Sequence, residues 1–159
     1  GRRMTIHVDA EYFSQRIMCP REDKKECLPI IRQLLELAYA AQTYGLLAMD
    51  AMVQDRNRFP DMFLRKAVGL TVEIADTERI GKVLYNLILS SKYVAKHHFL
   101  KDVLIAETML AVSQGDDLDY VFAHLIPSYF GMEYAAAAEE VYRVYKQTRI
   151  REDDSESEA

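Results

Sequence analysis

An all-α, single-domain fold, a bundle or stacked array of about six helices, is what the sequence predicts. Apolar residues recur at spacings of three and four along most of the chain, the rhythm of one helix face. No Asn-Gly or Asp-Gly pair sits between alternating apolar residues, so the local signal for a β-hairpin is missing. Half of the 159 residues are hydrophobic, enough for one core of ordinary domain size.

The elements follow in order. Thr5 to Val8 is a short β-prone run, either a strand or a coil leading into a helix near Asp9. Residues 1–27 are expected to pack as an N-terminal segment on a helical domain spanning 28–150. The first strong helix begins near Leu28, where Pro29 is tolerated because a first-turn N–H has no intrahelical partner. Ile31, Leu34, Ala38, Ala41, Gly45, Ala48 and Met52 form one seam on it, small in the middle. Gly45 costs such a helix about 1 kcal/mol relative to Ala. Either it admits a close neighbour or the helix bends there.

A break at Asp55 to Phe59 precedes Pro60 and Asp61, which suit the first turn of a helix burying Phe63, Ala67, Leu70 and Ile74. Asp76 reads as the N-cap of a longer helix with the apolar face Ile80, Val83, Leu84, Leu87, Ile88 and Val94. Phe99 to Ser113 is the next helix, closed by Gly115 at positive φ. Asp116 or Asp117 then caps a helix burying Leu118, Val121, Phe122, Leu125 and Ile126, which Pro127 ends or kinks. The last helix is expected from Met132 to Gln147. Residues 151–159, an acidic tail with too few apolar residues to fold, are expected to be disordered.

Charge and composition narrow the partners. A formal net charge of -5, partly gathered in the tail, argues against broad attraction to nucleic acid or anionic lipid. The longest stretches without charge, Leu37 to Met49 and Tyr120 to Met132, fall short of the ~20 apolar residues of a membrane span. No membrane insertion is expected, and Gly1-Arg2-Arg3-Met4 has no apolar signal core behind its arginines. Cys19 and Cys27 have no second pair to complete a zinc set, and free thiols in a reducing cytoplasm are the expectation.

The candidate chemical groups do not assemble. His97 and His98 diverge by about 100° on a helix and cannot share a metal as an i,i+4 pair does. His124 beside its apolar run reads as a partly buried packing residue, and His7 has no recognisable partner. Asp116 and Asp117 read as caps rather than acid–base groups, since no nucleophile or phosphate loop accompanies them. Tyr134, Tyr142 and Tyr145 either cover the bundle or form a partner surface. No enzyme activity, cofactor or metal is expected.

Gly45-Leu46-Leu47-Ala48-Met49-Asp50, then Phe63-Leu64-Arg65-Lys66, then Asp76-Thr77-Glu78-Arg79-Ile80 carry a resemblance. In this order and spacing they resemble the cytoplasmic segment of the MotA family, the stator proteins of the flagellar motor. The first motif is similar to the family's Gly-Leu-Leu-Ala-Leu-Glu. The match covers a quarter to a third of the chain. Members carry four membrane helices, and none can be placed here; Gln42 also stands where the family has a functional Arg. The resemblance implies a cytoplasmic module that packs a face against a flagellar motor component or a second copy. Ala38, Ala41, Gln42, Gly45, Ala48 and Asp50 are the interaction residues it nominates.

A second pattern, His98-Phe99-Leu100-Lys101, resembles the His-x-Leu-Lys core of histidine phosphotransfer domains. That resemblance implies His98 as phosphoacceptor, with Lys101 one turn on to offset phosphate charge. Asp102, in place of the family's Gly, would repel a phosphoryl group.

Overall fold

The computed structural model describes residues 19–158, and every regular element among them is helical. Helix α1 spans Arg21–Lys25, α2 Leu28–Tyr44, α3 Leu46–Val53, α4 Met62–Glu73, α5 Thr77–Ser90 and α6 Lys96–Gln114. A π-helical stretch, Tyr120–Leu125, runs into the single turn α7, Ile126–Ser128, and α8 covers Ala135–Glu158. No helix among the described residues is long and apolar enough to cross a membrane.

Helix α6 is the axis of the bundle. Its sequence is apolar at nearly every position from Val103 to Ala106, and a helix apolar all round must be covered all round. Helices α1, α2, α4, α5 and α7 supply that cover. Phe99, Leu100, Val103, Leu104, Met109 and Leu110 are buried on it, in one hydrophobic cluster that reaches from Cys19 to Tyr145. Helix α8 lies along α2 and the π-helical stretch, and α3 bridges α2 to α4.

Local signals set most termini. Asp61 Oδ1 accepts from the Leu64 amide at 2.9 Å, so it is the N-cap of α4, and Pro60 stays outside the helix rather than in its first turn. Asp76 caps α5 through the amides of Glu78 and Arg79. Gly115 ends α6 at φ 77°, a conformation that favours glycine. Asp117 Oδ1 takes the Tyr120 amide at 2.8 Å.

The choice left open at Gly45 falls to the bend, and the readings of Val94 and His124 are corrected. The seam helix is not continuous: α2 stops at Tyr44, Gly45 adopts φ 100° and ψ 167°, and α3 leaves in a new direction. Gly45 is therefore a hinge residue and not a close-packing one, because a Cβ there would meet nothing within 4 Å. Val94 lies beyond the end of α5 and is 98 % exposed, since Ser91 already ends the helix. His124 is exposed, on the outer side of the stretch whose Val121 and Phe122 are buried. Its surroundings are π-helical, which sequence periodicity does not register; Pro127 has no N–H and would clash with the Ala123 carbonyl in a continuous α-helix, and the wider turn relieves this.

The last helix also outruns its expected end. It continues to Glu158, and residues 151–155 extend it with their side chains exposed to solvent. Residues 151–155 stay outside the core. Tyr142 and Tyr145 are buried. The readings of Thr5 to Val8 and of His7 lie outside the described residues.

Candidate functional site

The hinge at Gly45 makes a corner. It turns Tyr44 and Leu47 into solvent, 70 % and 75 % exposed, with Leu46 partly exposed beside them. Beneath the corner lies an open cleft of about 430 Å³. Ala38, Ala41, Gln42 and Gly45 form one wall, and Val112, Ser113 and Gly115 at the end of α6 face them with Leu118 and Phe122. Four of the six nominated residues thus share one surface. The facing wall had no signal in the sequence, because it comes from residues about seventy positions away.

The other two part company. Ala48, on the far side of the hinge, lines a different cleft between α2, α3 and α8. Asp50 is half-buried on α3; its backbone carbonyl accepts from Gln54 Nε2 at 3.2 Å, and its carboxylate enters no ion pair among the described residues. The α3 terminus is tied down nearby, where Arg65 Nη1 donates to the Val53 carbonyl, a cation at the negative end of a helix. Arg65 belongs to the Phe63-Leu64-Arg65-Lys66 motif, and Val53 lies three residues beyond the end of the Gly45–Asp50 motif.

His98 sits exposed in the first turn of α6, its amide bonded to the Ala95 carbonyl at 3.1 Å. The His97 and His98 rings meet edge-on with centroids 4.2 Å apart. Lys101 is not available to His98: its Nζ is bonded to Asp61 and lies 3.3 Å from Asp102 Oδ1. Asp102 is buried, and its other oxygen accepts from Tyr93 Oη at 2.7 Å. Burial raises its carboxyl above the ordinary range, against the pull of Tyr93 and Lys101. The Lys that phosphotransfer would use is thus already neutralised.

One further carboxyl is largely enclosed and two thiols are buried. Glu107 on α6 takes hydroxyl hydrogen bonds from Tyr85 and Tyr129, and burial raises its carboxyl despite them. Cys19 and Cys27 are both free and buried; burial pushes the Cys27 thiol up to about 12, while its Sγ donates to the His97 carbonyl at 3.2 Å. A thiol held in that form is a poor nucleophile. Among the described residues no group of three or more His, Cys, Asp or Glu side chains could hold a metal ion.

The geometry defines a class: an all-α bundle with open surface clefts and buried polar pairs. No family model, no curated protein and no solved structure matches the chain.

Proposed function

We propose that the protein is a non-enzymatic helical interaction module, related to the cytoplasmic segment of flagellar stator proteins, which binds a protein partner through the corner from Tyr44 to Asp50. The observation that carries this reading is the corner itself. Two large apolar side chains stand in solvent on either side of a glycine hinge, next to an acid that has no ion-pair partner among the described residues. Exposed apolar side chains gathered over a cleft are the usual material of a contact surface. Tyr in particular supplies contact area at low entropic cost.

The partner in this reading is a component of the flagellar motor or a second copy, and the location is the cytoplasm. Two unbridged thiols are in keeping with a reducing medium. Pull-down of flagellar rotor proteins with wild type and Leu47→Lys tests it. Capture by wild type and loss with Leu47→Lys supports the reading. No capture by wild type, together with a concentration-independent mass in solution, removes it.

One observation favours phosphotransfer as a second reading: His98 is exposed, as a phosphoacceptor must be. Incubation with a phosphorylated receiver domain decides it, and absence of label on His98 ends it.

A further inference from the structure

Arg32 and Arg149, from α2 and α8, are each held over an aromatic ring. Arg149 Cζ lies 4.2 Å from the Tyr39 centroid and Arg32 Cζ 5.0 Å from that of Tyr145, and these two rings meet edge-on at 6.3 Å. Together with Arg58, from the loop after α3, they line the open cleft of about 530 Å³ between α2, α3 and α8. An aromatic face holds a guanidinium through its quadrupole and leaves the N–H donors for other acceptors.

Those donors are only partly used. Glu36 takes Arg32 Nε at 3.4 Å and Arg58 Nη2, Glu152 takes Arg149 Nη1 at 3.1 Å, and the Tyr39 hydroxyl also accepts from Arg149. A guanidinium carries five N–H donors in a fork that matches an oxyanion. Arg149 Nε is buried and finds no acceptor among the described residues. Shut off from solvent, it reports on the surroundings of the guanidinium and is not itself a donor that a ligand in the cleft reaches.

The charge count selects the ligand. Three arginines face two glutamates here, a surplus of one positive charge on a chain whose net charge is -5. A single carboxylate balances that surplus. A phosphate dianion exceeds it and meets repulsion from Glu36 and Glu152. Tyr44 and Met52 line the same cleft and offer apolar surface to whatever carries the charge.

We infer that this cleft binds one carboxylate borne on an apolar or aromatic body. The guanidinium nitrogens of Arg32, Arg58 and Arg149 that Glu36, Glu152 and Tyr39 leave unused are the donors, and Tyr44 and Met52 contact the body. A free carboxylic acid and an acidic side chain of a partner segment present the same chemistry. The inference does not rest on the stator-like reading.

The arginine Nε–H resonances of the ¹⁵N-labelled full chain report on it. The probes are 3-phenylpropionate, its neutral amide, a blocked Leu-Glu-Leu tripeptide and inorganic phosphate. A saturable shift of the Arg149 Nε–H with the acid or the tripeptide is expected, weakened by added salt. The amide, and Arg58→Gln with the acid, bind at least roughly tenfold more weakly. Saturation by the free acid alone assigns a small-molecule site, and saturation by the tripeptide alone assigns a partner segment; either supports the inference. Equal response to acid and amide overturns it, as does no saturation by either carboxylate or tighter binding of phosphate. Arg58→Gln is the primary variant because its side chain is half exposed, and a parent-like melting curve shows that it is folded.

Discussion

Asp61 joins two elements through its two carboxylate oxygens: Oδ1 caps α4 by accepting the Leu64 amide, and Oδ2 accepts from Lys101 on α6. A local capping signal and a long-range ion pair therefore share one side chain, which fixes where α4 sits on the central helix.

Replacing Asp61 separates the two roles. Asp61→Asn keeps an oxygen for the cap and loses the charge; Asp61→Ala loses both. A cap is worth about 1 kcal/mol, and a hydrogen bond to a charged group about 1.5–3 kcal/mol. Urea unfolding is expected to show Asp61→Ala less stable than Asp61→Asn by about the cap alone, ~1 kcal/mol. Equal losses would mean that Oδ1 is not a cap.

Gly45 carries backbone strain rather than packing. With φ at 100° and nothing within 4 Å of the Cβ position, an added Cβ costs conformational strain and no clash. Gly45→Ala and Gly45→Leu are expected to lose a similar ~1–3 kcal/mol in thermal or urea unfolding. A loss that grows steeply with side-chain size would restore the close-packing role.

Glu107 makes stability depend on pH. Burial raises its folded-state carboxyl above the ordinary 4.5. The contribution is therefore fully present below the unfolded value and is lost as pH rises through the folded one. Wild type is expected to lose stability relative to Glu107→Gln as pH climbs from 4 into the neutral range, as urea midpoints across that range would show. A difference that stays flat with pH would contradict the burial of this carboxyl.

Cys27 should be slow toward thiol reagents while the chain is folded. A thiol raised from 9.0 to about 12 presents about a thousandfold fewer thiolates at neutral pH. Ellman's reagent is expected to react with it in denaturant and hardly at all in native buffer. Rapid native labelling of Cys27 would show that the segment around α1 opens readily.

Features written in short stretches of chain were legible in advance. The caps at Asp61 and Asp76 and the stop at Gly115 need only a side chain and an amide two or three residues away, or one glycine that tolerates positive φ. Half of the candidate surface was legible in the same way: Ala38, Ala41, Gln42 and Gly45 lie within two turns, and they do share a cleft. Ala48 does not join them, because periodicity cannot say that one glycine will turn the chain rather than continue a helix.

By itself, then, the sequence determined the helical class and most helix ends, since hydrophobic rhythm and capping act over a few residues. Only the tertiary structure decided that α6 is the axis, that Lys101 answers to Asp61 rather than to His98, and that Arg32 and Arg149 stand in one cleft. These pairings join side chains from different helices. They arise when the bundle buries its apolar faces, and nothing within a single turn of helix encodes them.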